Sequence, residues 1–247
     1  MILEVCVDSL ASARSAIRGG ADRLELCSAL ALGGLTPYTA LLEQIREESE
    51  IPIRCLIRSR CGDFLYSRDE IDLMSRQIRS LKAAGADGFV IGCLDPDGNL
   101  DREAMKPLID SAAGAVLTLH RCIDVSRNPE KTYLDASRLG FDTVLTSGAA
   151  RSCTEGTQTL AALLELRRLH NGPEVLIGAG VSAANITALR ATLPDARAFH
   201  ASCKELIESA MKFRRENVPM GLPGFDEWHI QQTNELQVRT LKELLSK

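Results

Sequence analysis

The stretch Gly19-Gly20-Ala21-Asp22 (GGAD) returns in altered form as AGAD at residues 84–87 and as LGFD at residues 139–142. Each copy follows a segment with helical periodicity and precedes an apolar run typical of a β-strand. A glycine at this place ends a helix, because it adopts the left-handed backbone conformation without steric cost. The phrase therefore marks the passage from a helix into a new strand at three places in the chain.

Apolar runs of strand length recur from one end of the chain to the other. Capping signals such as the box Ser67-x-x-Glu70 place helices between them. The predicted strands are ILEVCVD (2–8), DRLELCS (22–28), IPIRCLIRS (51–59), DGFVIGC (87–93), AVLTLHR (115–121), DTVLTSG (142–148), EVLIGAG (174–180) and RAFHAS (197–202). Eight βα units in 247 residues predict an α/β fold, a (β/α)8 TIM-type barrel. We expect one domain over 1–247, with an irregular C-terminal extension from about residue 204.

The competing fold is a doubly wound Rossmann sheet, because residues 178–183 (GAGVSA) match the dinucleotide-binding pattern GxGxxG/A. The match lies at the seventh strand and does not open the chain, so we predict no nucleotide cofactor. In a barrel, the loops after the later strands are frequent phosphate sites that use backbone amides. The candidate anion-binding positions are Ser147, Gly148, Gly180 and Val181.

Composition argues against several classes of protein. The net charge is −4, with acidic and basic residues interspersed, and no basic run points to nucleic acid. No apolar run approaches the length of a membrane span, and the first residues already form a predicted strand, so we expect neither membrane insertion nor a signal peptide. The eight cysteines form no CxxC pair, which favours reduced thiols in a cytoplasmic protein.

Two neighbouring strands carry the pattern Glu-x-Cys, as Glu4-Val5-Cys6 and Glu25-Leu26-Cys27. Residues two apart share one face of a strand, so each strand turns a carboxylate and a thiol to the same side. The apolar residues between them face the helices. The carboxylates and thiols are therefore predicted to line the inside of the barrel.

The predicted interior also contains Arg58, His120 and His200, near the C-terminal ends of their strands. Catalytic groups of barrel enzymes lie at that face. Buried charges are costly unless they are paired or contact a ligand. Either these residues form a ligand site, or they are paired for structural reasons, for example Arg58 with Glu25.

Several phrases resemble the copper homeostasis protein CutC family over nearly the whole chain. They are EVCVDS (4–9), GGADRLELCS (19–28), GGLTP (33–37), GDFLYS (62–67), LTSG (145–148), HR (120–121) with Asp124, GAGV (178–181) and FHAS (199–202). The resemblance implies a TIM-barrel-like fold, a cytosolic location and a role in copper handling, with Cu(I) bound by Cys6 and Cys27. Cys61 and Cys122 depart from the family pattern and inherit no role from it.

The first functional hypothesis is Cu(I) binding by Cys6 and Cys27. Cu(I) prefers thiolate ligands, and adjacent strands lie about 4.8 Å apart, so two inward cysteines at the same height can share one ion. The alternative is that both thiols only fill the barrel, as buried cysteines often do.

The second hypothesis is an enzyme that performs acid–base chemistry on a small phosphorylated or carboxylated metabolite. Glu25 or His120 acts as base or acid and His200 as partner. Arg58 orients the anion through a bidentate contact.

The third hypothesis is a non-catalytic scaffold that assembles as a homo-oligomer. Phe225 and Trp228, in the least regular part of the chain, either pack against the barrel or form a subunit contact.

Overall fold

The computed structural model describes residues 1–215, 218, 221 and 226–246. Eight parallel strands within this part pair in chain order, and the eighth closes on the first. The strands are β1 (Ile2–Val7), β2 (Arg23–Leu26), β3 (Ile53–Leu56), β4 (Gly88–Ile91), β5 (Val116–Leu119), β6 (Thr143–Thr146), β7 (Glu174–Ile177) and β8 (Ala198–Ala201). The predicted (β/α)8 barrel is confirmed, and the Rossmann alternative is wrong.

Helices cover the outside of the barrel. They are α1 (Leu10–Arg18), α2 (Thr39–Glu48), α3 (Arg68–Ala83), α4 (Arg102–Ala112), α5 (Pro129–Arg138), α6 (Thr157–His170), α7 (Ile186–Thr192) and α8 (Glu235–Ser246). The predicted capping box is present at α3, where the Ser67 and Glu70 side chains each accept a hydrogen bond from the other's backbone amide. Leucine, isoleucine and valine residues on the outward strand faces pack against the helices and form the main apolar core.

The aspartate of the repeated phrase has the same contact in all three copies. The carboxylate of Asp22 accepts the amide of Leu3 at 2.7 Å, at the start of β1. Asp87 accepts the amide of Ile53 at 2.7 Å, and Asp142 accepts that of Leu117 at 2.8 Å. Each phrase therefore ends a helix with its glycine and fixes the N-terminal end of the preceding strand with its aspartate.

The segment after residue 204, predicted to be irregular, is largely regular in its described part. An antiparallel pair, β9 (Lys204–Glu208) and β10 (His229–Thr233), is inserted between β8 and α8. Helix α8 then contacts α1, α7 and β1 and completes the eighth βα unit. The insertion separates β8 from its helix, which is why the alternating sequence pattern weakens there.

Of the two aromatic residues considered for packing, Phe225 lies outside the described residues. The Trp228 ring lies 5.4 Å from the guanidinium carbon of Arg214. Within the described ranges, no helix is both long enough and apolar enough to cross a membrane.

Candidate functional site at the C-terminal mouth of the barrel

A cavity of about 470 Å³ opens at the C-terminal ends of the barrel strands. A volume of this size suits a small-molecule ligand. Most of the residues predicted from the sequence line it, namely Cys6, Glu25, Cys27, Arg58, His120, Gly180, Val181 and His200. Ser147 and Gly148 are not among the lining residues.

The register of the first strands decides which polar side chains meet. Cys6 on β1 lies opposite Glu25 on β2, and Glu4 lies opposite Arg23. On the other side of β1, Glu4 lies opposite His200 of β8. The two Glu-x-Cys stretches are therefore offset by one inward position, so that Glu25 is level with Cys6, and Cys27 lies one layer nearer the mouth.

Glu4 is the fully buried acceptor at the base of this cluster. Arg23 Nε donates to its Oε2 at 2.5 Å, and the Nδ1 atom of His200 lies 2.8 Å from its Oε1. Burial alone raises the pKa of Glu4, but Arg23 and His200 outweigh that effect and lower it to about 2. Glu4 is therefore ionised, and it fixes the orientation of the His200 ring.

The Cys6 thiol, the Glu25 carboxylate and the His200 imidazole meet above Glu4. One ligand atom from each lies within 4.8 Å of the other two. The Nε2 atom of His200 is 3.6 Å from Glu25 Oε2. Burial raises the pKa of Glu25 to about 7 despite the charge of His200. Burial opposes protonation of His200, but Cys6 and the two carboxylates raise its pKa well above the usual value.

Cys27 does not belong to this group of ligand atoms. Its fully buried thiol donates to the carbonyl oxygen of Val7 at 3.5 Å, and its other neighbours include Cys6, Leu56 and Val90. Burial and the nearby Glu25 raise the pKa of Cys27 well above that of a free thiol. Cys27 is therefore a neutral thiol in an apolar layer.

Arg58 lines the cavity from the end of β3 and is 8% exposed. Its Nη1 donates to the carbonyls of Leu32 (3.2 Å) and Gly34 (3.0 Å), and its Nη2 donates to that of Gly62 (2.8 Å). The guanidinium carbon lies 5.3 Å from the centroid of the Phe64 ring. Among the described residues, Arg58 has no carboxylate partner, so the predicted structural pairing with Glu25 is absent, and its Nε has no acceptor.

His120 lies next to Phe64, with ring centroids 4.7 Å apart. Its Nδ1 accepts the amide of Cys122 at 3.1 Å, so the ring proton resides on Nε2. That Nε2 is buried and has no hydrogen-bond partner within the described residues. Burial and the charge of Arg58 lower the pKa of His120 to about 3. In this arrangement His120 is a neutral ring that presents an N–H donor at Nε2.

The loop after β6 is already engaged by Asp124, a residue that the sequence analysis did not assign to the site. Its carboxylate accepts the amides of Ser147 (3.0 Å) and Ala149 (3.1 Å), and Arg121 Nε donates to it at 2.7 Å. The amide of Gly148 donates to Thr146 Oγ1 at 2.9 Å. Two of the predicted anion-binding positions therefore direct their amides to acceptors within the protein. The sequence offered one sign of this role, namely the position of Asp124 at the end of the motif HRCID (120–124).

The loop after β7, in contrast, leaves two backbone amides without an acceptor among the described residues. Ala179 and Gly180 have left-handed backbone conformations, with φ of 68° and 86°. Ser182 donates its amide to Asn185 Oδ1 at 3.0 Å. The amides of Gly180 and Val181, by contrast, donate to no acceptor in the described part of the chain. These two amides border the cavity and are available to a ligand.

The chain is similar in sequence to proteins of one family. The sequence profile of the CutC family matches residues 1–205. A family protein CutC of Xanthomonas campestris is 47% identical over 204 residues, which are 83% of this chain and 84% of the relative. The human copper homeostasis protein cutC homolog is 39% identical over 241 residues, 97% of this chain and 87% of the relative.

A solved structure of the same kind is also similar. The crystal structure described as the copper homeostasis protein CutC from Streptococcus agalactiae superposes with a TM-score of 0.76 at 26% sequence identity. The superposition covers 82% of this chain and 98% of that one.

Proposed function

Because the chain belongs to the CutC family, we propose that it takes part in copper homeostasis by binding Cu(I) between the Cys6 thiolate and the His200 imidazole. The observation that carries the proposal is the meeting of Cys6, Glu25 and His200 within 4.8 Å. Copper is the cargo here, and its two soft or borderline donors are a sulfur and a nitrogen. Glu25 supplies an adjacent negative charge.

The donor set fits the ion in a second respect. Histidines that bind metals usually direct their other ring nitrogen to a carboxylate, which fixes the tautomer and the ring orientation. Glu4 is that carboxylate, since it lies 2.8 Å from Nδ1 of His200 and is itself fixed by Arg23. The free Nε2 is thereby turned towards Glu25 and the Cys6 side of the cavity.

A competition assay with a colorimetric Cu(I) chelator under anaerobic conditions tests the proposal. We expect Cys6→Ser and His200→Asn each to weaken Cu(I) binding at least about tenfold. The exposed thiol Cys61 provides the matched control, and Cys61→Ser should bind like the wild type. Unchanged binding by Cys6→Ser would show that the proposal is wrong.

The same assay distinguishes the present pair of ligands from the one expected from the sequence. We expect Cys27→Ser to retain most of the affinity, because Cys27 lies outside the cluster of ligand atoms. A loss as large as that of Cys6→Ser would restore the two-thiol site. A parallel titration with Zn(II), which also accepts thiolate and imidazole, tests the choice of metal. Selective binding of Zn(II) would contradict a copper role.

A second candidate function is acid–base catalysis, and one observation favours it. Glu25 lines the cavity with its Oε2 3.6 Å from Nε2 of His200, and burial raises its pKa to about 7, near the value that suits a general base at neutral pH. NMR monitoring of a panel of small phosphorylated and carboxylated metabolites tests for turnover. Conversion that Glu25→Gln abolishes supports this candidate, and no conversion by the wild type contradicts it.

A further inference from the structure

Residues that line the cavity have buried polar atoms that the proposed metal site does not use. Two of them are side-chain N–H groups, Nε of Arg58 and Nε2 of His120, in residues that are 8% and 4% exposed. A buried donor with no acceptor is unfavourable, because it has lost its hydrogen bonds to water and has gained none in the protein. Both donors belong to residues that line one cavity, which favours an acceptor supplied from outside the chain.

Charge leads to the same conclusion. The carboxylates that face the cavity are already paired, since Glu25 lies near His200 and Asp124 accepts from Arg121. Two cations in its lining have no carboxylate partner among the described residues: Arg58 binds only carbonyls, and Lys204 Nζ donates to the amide oxygen of Gln231 at 3.1 Å. The lining therefore has an excess of positive charge, which favours an anionic ligand.

The backbone also supplies donors that suit an anionic ligand. The amides of Gly180 and Val181 border the same cavity without an acceptor in the described part of the chain. Consecutive amides in a loop with left-handed residues form a concave site for oxyanions. In barrels, the loop after the seventh strand is a frequent place for a phosphate.

We infer that the cavity binds the oxyanion group of a small metabolite, a phosphoryl or carboxylate group held by Arg58, by Nε2–H of His120 and by the amides of Gly180 and Val181. Lys204 adds a charge at the rim. The guanidinium of Arg58 supplies a fixed charge. Three of its five N–H groups donate to carbonyls, which leaves Nε–H and one N–H of Nη2. This site is separate from the proposed copper ligands, since it uses none of their atoms.

Titration of the ¹⁵N-labelled wild-type protein with inorganic phosphate, and separately with malonate, tests the inference without any substitution. We expect saturable shifts of the Gly180 and Val181 amides and of the His120 ring nitrogens. A response to phosphate alone identifies a phosphoryl group, and a response to malonate alone identifies a carboxylate group. If neither anion shifts these signals saturably, the inference is wrong.

Variants then test the side chains by the affinity for whichever anion binds. Arg58→Gln should lose at least tenfold, and Lys204→Gln two- to threefold. Arg79→Gln is the control, because Arg79 also has no carboxylate partner among the described residues but lies on α3, outside the cavity lining. Equal affinities of Arg58→Gln and Arg79→Gln would contradict the inference.

Arg58 also holds two loops together through its hydrogen bonds to their carbonyls, so the variant Arg58→Gln could fail to fold. A second variant, at His120, tests the site in that case. His120→Phe removes the Nε2–H donor and keeps an aromatic ring against Phe64. We expect a five- to tenfold loss of anion affinity, and wild-type affinity would contradict the role of His120. Cys6→Ser should bind the anion normally whether or not it binds copper, so the two proposals fail independently.

Discussion

The two sides of the cavity solve the problem of buried charge in different ways. On the thiol–imidazole side, formed by Glu4, Cys6, Arg23, Glu25 and His200, every charged group has a partner of opposite charge. On the arginine side, formed by Arg58, Phe64 and His120, a cation is stacked on a ring and two donors have no acceptor among the described residues.

The difference shows what each side needs from a ligand. On the thiol–imidazole side every charge is paired, although Nη2 of Arg23 has no hydrogen-bond acceptor among the described residues, so a metal ion must displace protons to enter it. The arginine side is incomplete in the protein alone and gains an acceptor when an anion arrives. Removing one member of an ion pair on the first side should therefore lower the stability of the fold.

The largest expected effect comes from removing the charge at the base of the first side. Glu4→Gln leaves Arg23 and His200 buried without their anion, which should lower the free energy of unfolding by about 3–5 kcal/mol at pH 7. Urea denaturation measures this effect. Glu48→Gln, which breaks an exposed pair with Arg14, is the control and should change little. Similar values for the two variants would mean that the network is not needed for stability.

The second prediction concerns pH and separates the two glutamates of this side. The pKa of Glu25 is about 7 in the folded protein and near 4.5 in the unfolded chain. Its contribution to stability is therefore present below pH 4.5 and is lost as the pH rises through 7. Glu25→Gln does not titrate, so it should gain stability relative to the wild type between pH 5 and 8, by up to about 3 kcal/mol.

Urea denaturation of both proteins at several pH values measures that gain. Parallel stability curves for wild type and Glu25→Gln would show that Glu25 is ionised throughout the range. In that case the two glutamates would behave alike, and the acid–base candidate would lose its main support.

The third prediction concerns the arginine side. A Cβ atom at Gly92 would lie 2.5 Å from Cys122 Sγ and 2.6 Å from Cε1 of His120. Gly92→Ala should therefore lower the free energy of unfolding by about 1–3 kcal/mol through overpacking. Denaturation measures the loss. The double variant with Cys122→Ala should recover part of it, and a double variant no more stable than Gly92→Ala would rule out this contact as the cause.

The smallest expected effect is that of Cys61→Ser. Cys61 is the exposed cysteine, on the loop that provides the Gly62 carbonyl to Arg58. The change should alter the free energy of unfolding by less than about 0.5 kcal/mol. Mass spectrometry after brief alkylation should find Cys61 modified first and Cys6 and Cys27 protected. Rapid labelling of Cys6 would show that the thiol–imidazole side opens readily in solution.

The barrel was predictable because its signals are local. The GGAD phrases, the capping box at Ser67 and the strand-length apolar runs each depend on a few neighbouring residues. The C-terminal helix was missed because a hairpin separates it from β8, even though Val238, Leu241 and Leu245 are buried at helical spacing.

The sequence predicted which residues line the cavity, but it did not predict which of their side chains contact each other. Strand alternation turned Glu4, Cys6, Glu25 and Cys27 inward, yet it contains no information on the stagger between strands. The register puts Glu25 level with Cys6, which is why the close set is Cys6, Glu25 and His200 and does not include two thiols. The role of Asp124 depends on amides of a distant loop, those of Ser147 and Ala149, so no spacing in the sequence indicates it. The role of His120 depends on its burial and on the amide of Cys122, two residues away.

The contact between Glu4 and His200 has a consequence for how the protein folds. The two residues are 196 positions apart in the chain and belong to the strands that close the barrel. Contacts of such long range form slowly, because the chain entropy must be lost before they bring any gain. The proposed copper ligands Cys6 and His200, on β1 and β8, therefore come together only when the ring of strands closes. A copper-binding signal recorded during refolding would report that last step and would lag behind helix formation.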